Sequence, residues 1–283
     1  MPSPRVFIQE FRTRLIIIRH GCRWIDRFHL LLFAVVRSTP RSLREKNRRV
    51  DQLQRTLENS IAEKTILRVF GLTYNILDSD SLRIIVPECE DWIWKFFRPK
   101  EGDVVIDVGA NIGKYTCVMA RRVESKGLVV AIEPHPTNFA VLTRNIRNND
   151  LRNVRALNIA AYDKNEEIPL FLSESSGTHG TREDMGFGSI MVSAKKLDDV
   201  LLTELGVRRV DWMKIDVEGA EYQVLEGMTE IVKLFKPRLL LEVSGATVGR
   251  DTQLLESLGY SITLIKGSEC VTSTGSSMYL FCC

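Results

Sequence analysis

From Gly102 onward, short apolar runs alternate with segments of helical period, and this alternation restricts the fold more than any other feature. Val104–Val108, Leu128–Ile132, Val154–Ala160, Val210–Val217 and Arg238–Val243 read as strands. Lys114–Val123, Thr137–Asn148, Leu197–Leu205, Ala220–Leu234 and Thr247–Leu258 read as helices. Continuous apolar strands separated by helices imply an α/β fold, with a mostly parallel sheet covered on both faces. Ile168–Leu172 and Ser189–Ser193 are short strands around an irregular loop. Tyr260–Ile265 and Met278–Cys282 follow one another with a Gly/Ser-rich turn and no helix between them. They should form an antiparallel hairpin that leaves an antiparallel C-terminal strand at the sheet edge.

Upstream of Gly102 the pattern is looser. Leu72–Leu77 and Leu82–Val86, separated by Asp78-Ser79-Asp80, predict a β-hairpin, and Asp91–Phe97 a short helix. Residues 5–36 carry Phe7, Phe11, Leu15, Ile18, Cys22, Ile25, Leu32 and Val36 at helical spacing, with Arg12, Arg19, Arg23 and Arg27 off that stripe. A basic stretch from Arg41 to Arg55 follows. Charge separates this arm from the rest. Residues 1–60 hold 13 Lys+Arg and 5 Asp+Glu of the chain's 39 and 36, leaving 26 against 31 for the remainder. The organisation predicted is a basic helical arm over 1–65 and a catalytic domain over 66–283, whose ligand-binding core spans about 102–283.

The chemistry begins at Val104–Gly113. A strand runs into a glycine-bearing turn and then a helix, which in doubly wound sheets places a ligand over the turn. Gly109 permits the sharp turn, and Gly113 close packing of the helix. The next strand ends in Glu133-Pro134, about 20 residues on, where a carboxylate can accept both ribose hydroxyls of an adenosine. NAD and S-adenosylmethionine (SAM) share that adenosine. The turn distinguishes them: Gly109-Ala-Asn-Ile-Gly113 is one glycine short of the pyrophosphate fingerprint, and Asp107 adds negative charge at the strand end. A carboxylate there opposes a pyrophosphate and suits the cationic sulfonium and amino group of SAM.

These residues resemble the FkbM family of SAM-dependent methyltransferases. The resemblance rests on Asp107-Val-Gly-Ala-Asn-Ile-Gly113 with Thr116, on Ile132-Glu-Pro-His-Pro-Thr-Asn138-Phe followed by Asn145, and on Lys196-Leu-Asp-Asp-Val200 leading into Asp211–Glu221. It covers about residues 70–283. It implies a Rossmann-like class I methyltransferase with a seven-stranded sheet, and commonly O-methylation of sugars or natural products. By that resemblance Asp107, Gly109, Ala110, Asn111 and Gly113 hold the methionine part of SAM and Glu133 the ribose. Ala161 and Asp163 border the adenine; plain strand-end packing is the competing reading of that segment.

Lys214-Ile-Asp216-Val-Glu218-Gly-Ala-Glu221 follows the fourth long strand. Lys214 and Asp216 share a face by alternation, and Asp216 is the candidate to orient or deprotonate the acceptor. Lys214 and Glu218 are the other candidate catalytic residues. Glu218 and Glu221 are expected to enter the next helix and complement its dipole. A Mg²⁺ site between Asp216 and Glu242 lacks a third ligand, so no metal is expected. His135 is expected at the cofactor edge. His179 lies in the Ser173–Gly188 loop that could cover the acceptor.

The expected acceptor is a small-molecule or glycan hydroxyl. The place of Asp216-Val-Glu-Gly is taken in base methyltransferases by Asn/Asp-Pro-Pro-aromatic, and the acidic body disfavours a nucleic-acid groove, so no nucleic acid is expected. N-methylation of protein or nucleic acid, and a non-catalytic SAM-binding scaffold, are the alternatives. Six scattered cysteines without metal spacing and the lack of a convincing secretory signal predict a cytoplasmic protein. The arm has two readings: a helical cap, or a segment peripheral to the membrane.

Overall fold

The structure, a computed structural model, describes residues 17–38, 47–86, 91–173, 175–181, 186–243, 248–266 and 278–283. The start of the arm (5–16), the first part of its basic stretch (41–46), Thr247, part of the Ser173–Gly188 loop and the Gly/Ser-rich turn lie outside these residues. The chain divides into two compact units, Met1–Cys89 and Glu90–Cys283.

In the first unit, α1 (Trp24–Arg37) and α2 (Arg48–Glu63) precede β1 (Ile66–Val69), β2 (Leu72–Asn75) and α3 (Ser79–Ile85). The β-hairpin exists, but its strands are β1 and β2, turning at Phe70-Gly71, both at positive φ. Leu82–Val86 is therefore not its second strand. Asp78, expected in the turn, caps α3 instead: its Oδ1 accepts from Ser81 N at 2.7 Å, while Ser81 Oγ accepts from Asp78 N at 2.9 Å. That reciprocal cap outweighs the β-branched composition of the segment. On α1 the buried face is Leu30, Phe33 and Ala34 rather than the expected stripe, and Leu32 is exposed. The helix is apolar almost all round, so periodicity alone could not choose its inner face.

The second unit is built on a seven-stranded sheet of β3 (Val104–Val108), β4 (Leu128–Ile132), β5 (Val154–Leu157), β9 (Trp212–Ile215), β10 (Arg238–Val243), β11 (Ile262–Lys266) and β12 (Met278–Cys282), in the order β11-β12-β10-β9-β3-β4-β5. All pairings from β5 to β10 are parallel, and β12 runs antiparallel to both β10 and β11. The C-terminal hairpin thus folds back so that β12 sits one place in from the edge. Alternation divides the core. Ile106, Val108, Val130, Ile132, Met213 and Ile215 pack on one face, and Val105, Val129 and Trp212 on the other, against Tyr115, Met119 and Val123 of α4 (Lys114–Val123).

β6 (Ala160–Ala161), β7 (Glu166–Phe171) and β8 (Ser189–Lys195) form a separate three-stranded sheet, so Ala160 is not part of β5. The turn at Asn158 parts them, its side chain donating to the carbonyls of Glu133 and Pro134. The helix expected over Ala220–Leu234 is two helices, α6 (Glu221–Glu226) and α7 (Thr229–Phe235). The second has its own start because Asp198 accepts from Glu230 N at 3.1 Å and Ile231 N at 2.9 Å. Residues Asp91–Lys95 make a 3₁₀ turn.

Candidate active site

The sheet reverses its winding between β3 and β9, and the carboxyl ends of these strands and of β4 define the site. β3 delivers Asp107 on the face that carries α4. Thr116 Oγ1 of that helix donates to Asp107 Oδ2 at 2.5 Å. Lys214 is Asp107's register partner on β9. Its ammonium lies 2.8 Å from Asp216 Oδ2 and 4.8 Å from the Tyr115 ring centroid. Lys114 approaches the same ring, at 5.3 Å. Lys214 and Asp216 thus share a face, as alternation requires. Burial alone would lower the Lys214 pKa; the carboxylates of Asp216, Asp107 and Glu242 outweigh it and raise it above the ordinary lysine value. Burial raises Asp107 against the pull of Lys214 and Thr116.

Gly109 turns the chain at φ +77, and a Cβ on it would stand 1.7 Å from the Asp216 carbonyl oxygen. The two strand ends therefore meet backbone to backbone. Ala110 is buried, Asn111 takes a left-handed φ of 50°, and Gly113 opens α4. Asn111 N donates to Glu133 Oε2 at 2.8 Å, joining the glycine turn to the end of β4. Glu133 Oε1 accepts from His135 N at 2.9 Å and Asn138 Nδ2 at 3.4 Å. Burial pushes the Glu133 carboxyl up to about 7 despite these donors. Asp107 Oδ1 and Asn111 Oδ1 are buried without a hydrogen-bond partner among the described residues. Buried acceptors of this kind are available to a ligand.

The pKa of Glu133 has a consequence for the apo protein. The folded value lies above the ordinary 4.5, so the group favours the fold below about pH 4.5 and loses that contribution as pH rises to about 7. The loss is roughly 3 kcal/mol at most. Denaturant unfolding between pH 5 and 8 should show the wild type weakening with pH and Glu133→Gln flattening that slope. Parallel slopes for the two proteins would place the titration elsewhere.

Asn138, in the first turn of α5 (Pro136–Asn148), also donates to the Ser176 carbonyl at 2.8 Å. The loop is held at three more places. His179 packs against His135 with ring centroids 4.3 Å apart and planes tilted by 37°, and its Nδ1 accepts from Ser173 N at 3.0 Å. Gly180 lies so close to Glu218 that a Cβ on it would stand 2.6 Å from the Glu218 carbonyl oxygen. The loop thus reaches from the Glu133 side to the residues after β9. Asn138 was not singled out in the sequence as this bridge; its place three residues past the cap His135, beside the strand end, was the available signal. Tyr115, between the two lysines, was missed too.

Glu218 does not enter a helix as expected. It stands before α6 at φ 51, exposed, with Gly219 after it. Partial desolvation raises its pKa, and the carboxylates of Asp216 and Glu221 add to the rise. Glu221 begins α6, and its Oε1 accepts from Gly219 N at 2.8 Å. Glu242 accepts from the Tyr279 hydroxyl at 3.0 Å. Ala161 is buried, and Asp163 Oδ1 is a buried acceptor without a partner among the described residues. Among the described residues no three His, Cys, Asp or Glu side chains are grouped to hold a metal.

A doubly wound sheet with a glycine turn at its winding reversal and a carboxylate ending the adjacent strand fits an adenosine-bearing ligand, and the glycine-poor turn with Asp107 buried beside it places the chain among the Rossmann-like class I methyltransferases. Within that class the chain belongs to the FkbM methyltransferase family, whose domain profile matches residues 107–262. It is 29% identical over 191 residues to the hexuronic acid methyltransferase AglP of Haloferax volcanii, covering 67% of this chain and 72% of that one. Methyltransferase sdnD of Sordaria araneosa is 29% identical over 194 residues, with 52% and 74% covered. The 31-O-demethyl-FK506 methyltransferase FkbM of Streptomyces tacrolimicus is 30% identical over 162 residues, with 46% and 61% covered. A crystal structure of a methyltransferase FkbM from Methylobacillus flagellatus superposes with a TM-score of 0.51 at 16% identity, over 97% of this chain and 58% of that one. The protein is a methyltransferase.

Proposed function

We propose that the protein transfers the methyl group of SAM to a hydroxyl of a sugar, glycan or natural product. The observation that carries this reading is the pair of acids flanking the glycine turn. Asp107 keeps a buried oxygen without a partner among the described residues at the end of β3, and Glu133 is fixed by three donors at the end of β4. Asp107, the Gly109–Gly113 turn and Asn111 would hold the methionine part, Glu133 the ribose, and Ala161 and Asp163 the adenine edge. SAM supplies an electrophilic methyl carbon on a good leaving group. The relatives named for a hexuronic acid and for an O-demethylated FK506 support an oxygen acceptor of this size.

Asp216, anchored by Lys214, orients the acceptor hydroxyl. Glu218, two residues on, takes its proton, for which a raised pKa suits it. The loop through Ser176 and His179 closes over this end of the sheet and limits water.

Calorimetry should show SAM binding to the folded chain and none of NAD. Glu133→Ala should weaken SAM roughly 10- to 100-fold, the worth of charge-assisted hydrogen bonds. Transfer of label from SAM to a panel of hydroxylated acceptors identifies the substrate. Folded protein that ignores SAM overturns the reading.

A further inference from the structure

The outer face of α1 carries an exposed apolar stripe. Trp24, Phe28, Leu31 and Val35 follow one another at intervals of one helical turn and are 79%, 54%, 43% and 56% exposed. They lie opposite Leu30, Phe33 and Ala34, which the first unit buries. A large aromatic left this open is unusual on a monomer's surface, and two aromatic and two aliphatic side chains in one exposed row mark an interaction face. α2 adds Leu53 and Leu57, also exposed and one turn apart.

The charge of the two helices says what the stripe meets. Arg27 is exposed on α1, and Arg48 and Arg49 are exposed in the first turn of α2. The only acid of α1, Asp26, points inward, is fully buried, and is taken up by Arg23 and the backbone N–H of Ile66. No carboxylate of α1 therefore opposes an anionic surface. Residues 1–60 carry eight more cationic than anionic side chains, set against an acidic remainder. At 14 residues α1 is far too short to cross a bilayer, and no helix among the described residues is long and apolar enough to do so.

We propose that α1 lies in the plane of an anionic lipid surface. Its aromatic stripe enters the boundary between headgroups and acyl chains, and the neighbouring arginines engage lipid phosphates. Trp24 suits the interface, where an indole can place its ring in the apolar layer and its N–H among headgroups.

The test is flotation of the full chain with vesicles of phosphatidylcholine alone and with about a third of the lipid replaced by phosphatidylglycerol. Binding is expected only to the anionic vesicles, falling as salt rises. The double variant Trp24→Ala, Phe28→Ala should bind roughly tenfold more weakly, with an unchanged melting temperature because both side chains are exposed. Equal flotation with both compositions, or none with either, overturns the proposal. So does a double variant that binds as well as the wild type. Three further results also overturn it where vesicle binding is absent. A lowered melting temperature in the variant would mean that the chain itself covers the face. A wild-type dimer that the variant turns into a monomer would mean a second copy covers it. Unchanged behaviour in both respects would leave the stripe without a partner.

Discussion

Gly109→Ala is expected to abolish SAM binding and to lower the melting temperature by roughly 10 °C, the shift that a loss of about 3 kcal/mol produces in a domain of this size. Two costs combine. The residue sits at φ +77, where an L side chain is strained, by about 1 kcal/mol. The added methyl would also stand 1.7 Å from the Asp216 carbonyl oxygen. Neither strand end can withdraw freely. Asp216 N donates to the Val108 carbonyl at 3.0 Å, and Gly109 N to the Ile132 carbonyl at 3.0 Å. Relieving the overlap therefore pushes β9 away from β3 and moves the turn proposed to hold the methionine part. Gly102→Ala is the control: its φ is +83, but nothing lies within 4 Å of the added carbon. It should show only the backbone cost and bind SAM normally. Thermal unfolding and calorimetry on the two variants measure both effects. If Gly109→Ala melts with Gly102→Ala and still binds SAM, the two strand ends do not meet as described.

The sheet was legible because its central strands are mostly apolar runs, interrupted in β3 and β9 by single charged residues, Asp107 and Lys214. β3 and β4 have the bounds read from the sequence. Asp107 and Glu133 were legible by position, since a carboxylate at either strand end can face only the site or solvent. Contacts between distant segments were not legible. Asn138 bridges to Ser176, 38 residues away, and nothing local to α5 records the partner. Asp198 caps a helix more than 30 residues downstream, so its effect on the helix expected at Ala220–Leu234 could not be read from that helix's own sequence. Phe70 occupies a left-handed turn position where glycine, asparagine or aspartate is the usual marker, and the hairpin was accordingly placed too late. In α1, an apolar surface on both sides concealed which face is buried.

Asp216 and Glu218 are expected to fail in different ways when altered. Asp216 is held at 2.8 Å by the Lys214 ammonium, which fixes the carboxylate in place to orient an acceptor. Desolvation, and then the carboxylates of Asp216 and Glu221, raise the pKa of Glu218 and make proton uptake easier. Glu218→Gln should lower kcat by roughly 10²- to 10⁴-fold, the usual range for loss of a general base. SAM affinity should hold, because Glu218 is not among the proposed cofactor contacts. The wild-type rate should climb with pH as Glu218 ionises, with its midpoint above the ordinary glutamate value of 4.5, and this limb should vanish in Glu218→Gln. Asp216→Asn should mainly raise KM for the acceptor and leave the limb in place. The amide still occupies the site, and Asp107 still faces Lys214, so the lysine is not left without a counter-charge. Profiles of kcat and KM against pH for the three proteins separate the roles. A pH limb lost in Asp216→Asn and kept in Glu218→Gln would exchange the two assignments. If both variants keep kcat within about fivefold, holding the acceptor oxygen near the methyl carbon suffices for catalysis, and neither carboxylate takes the proton.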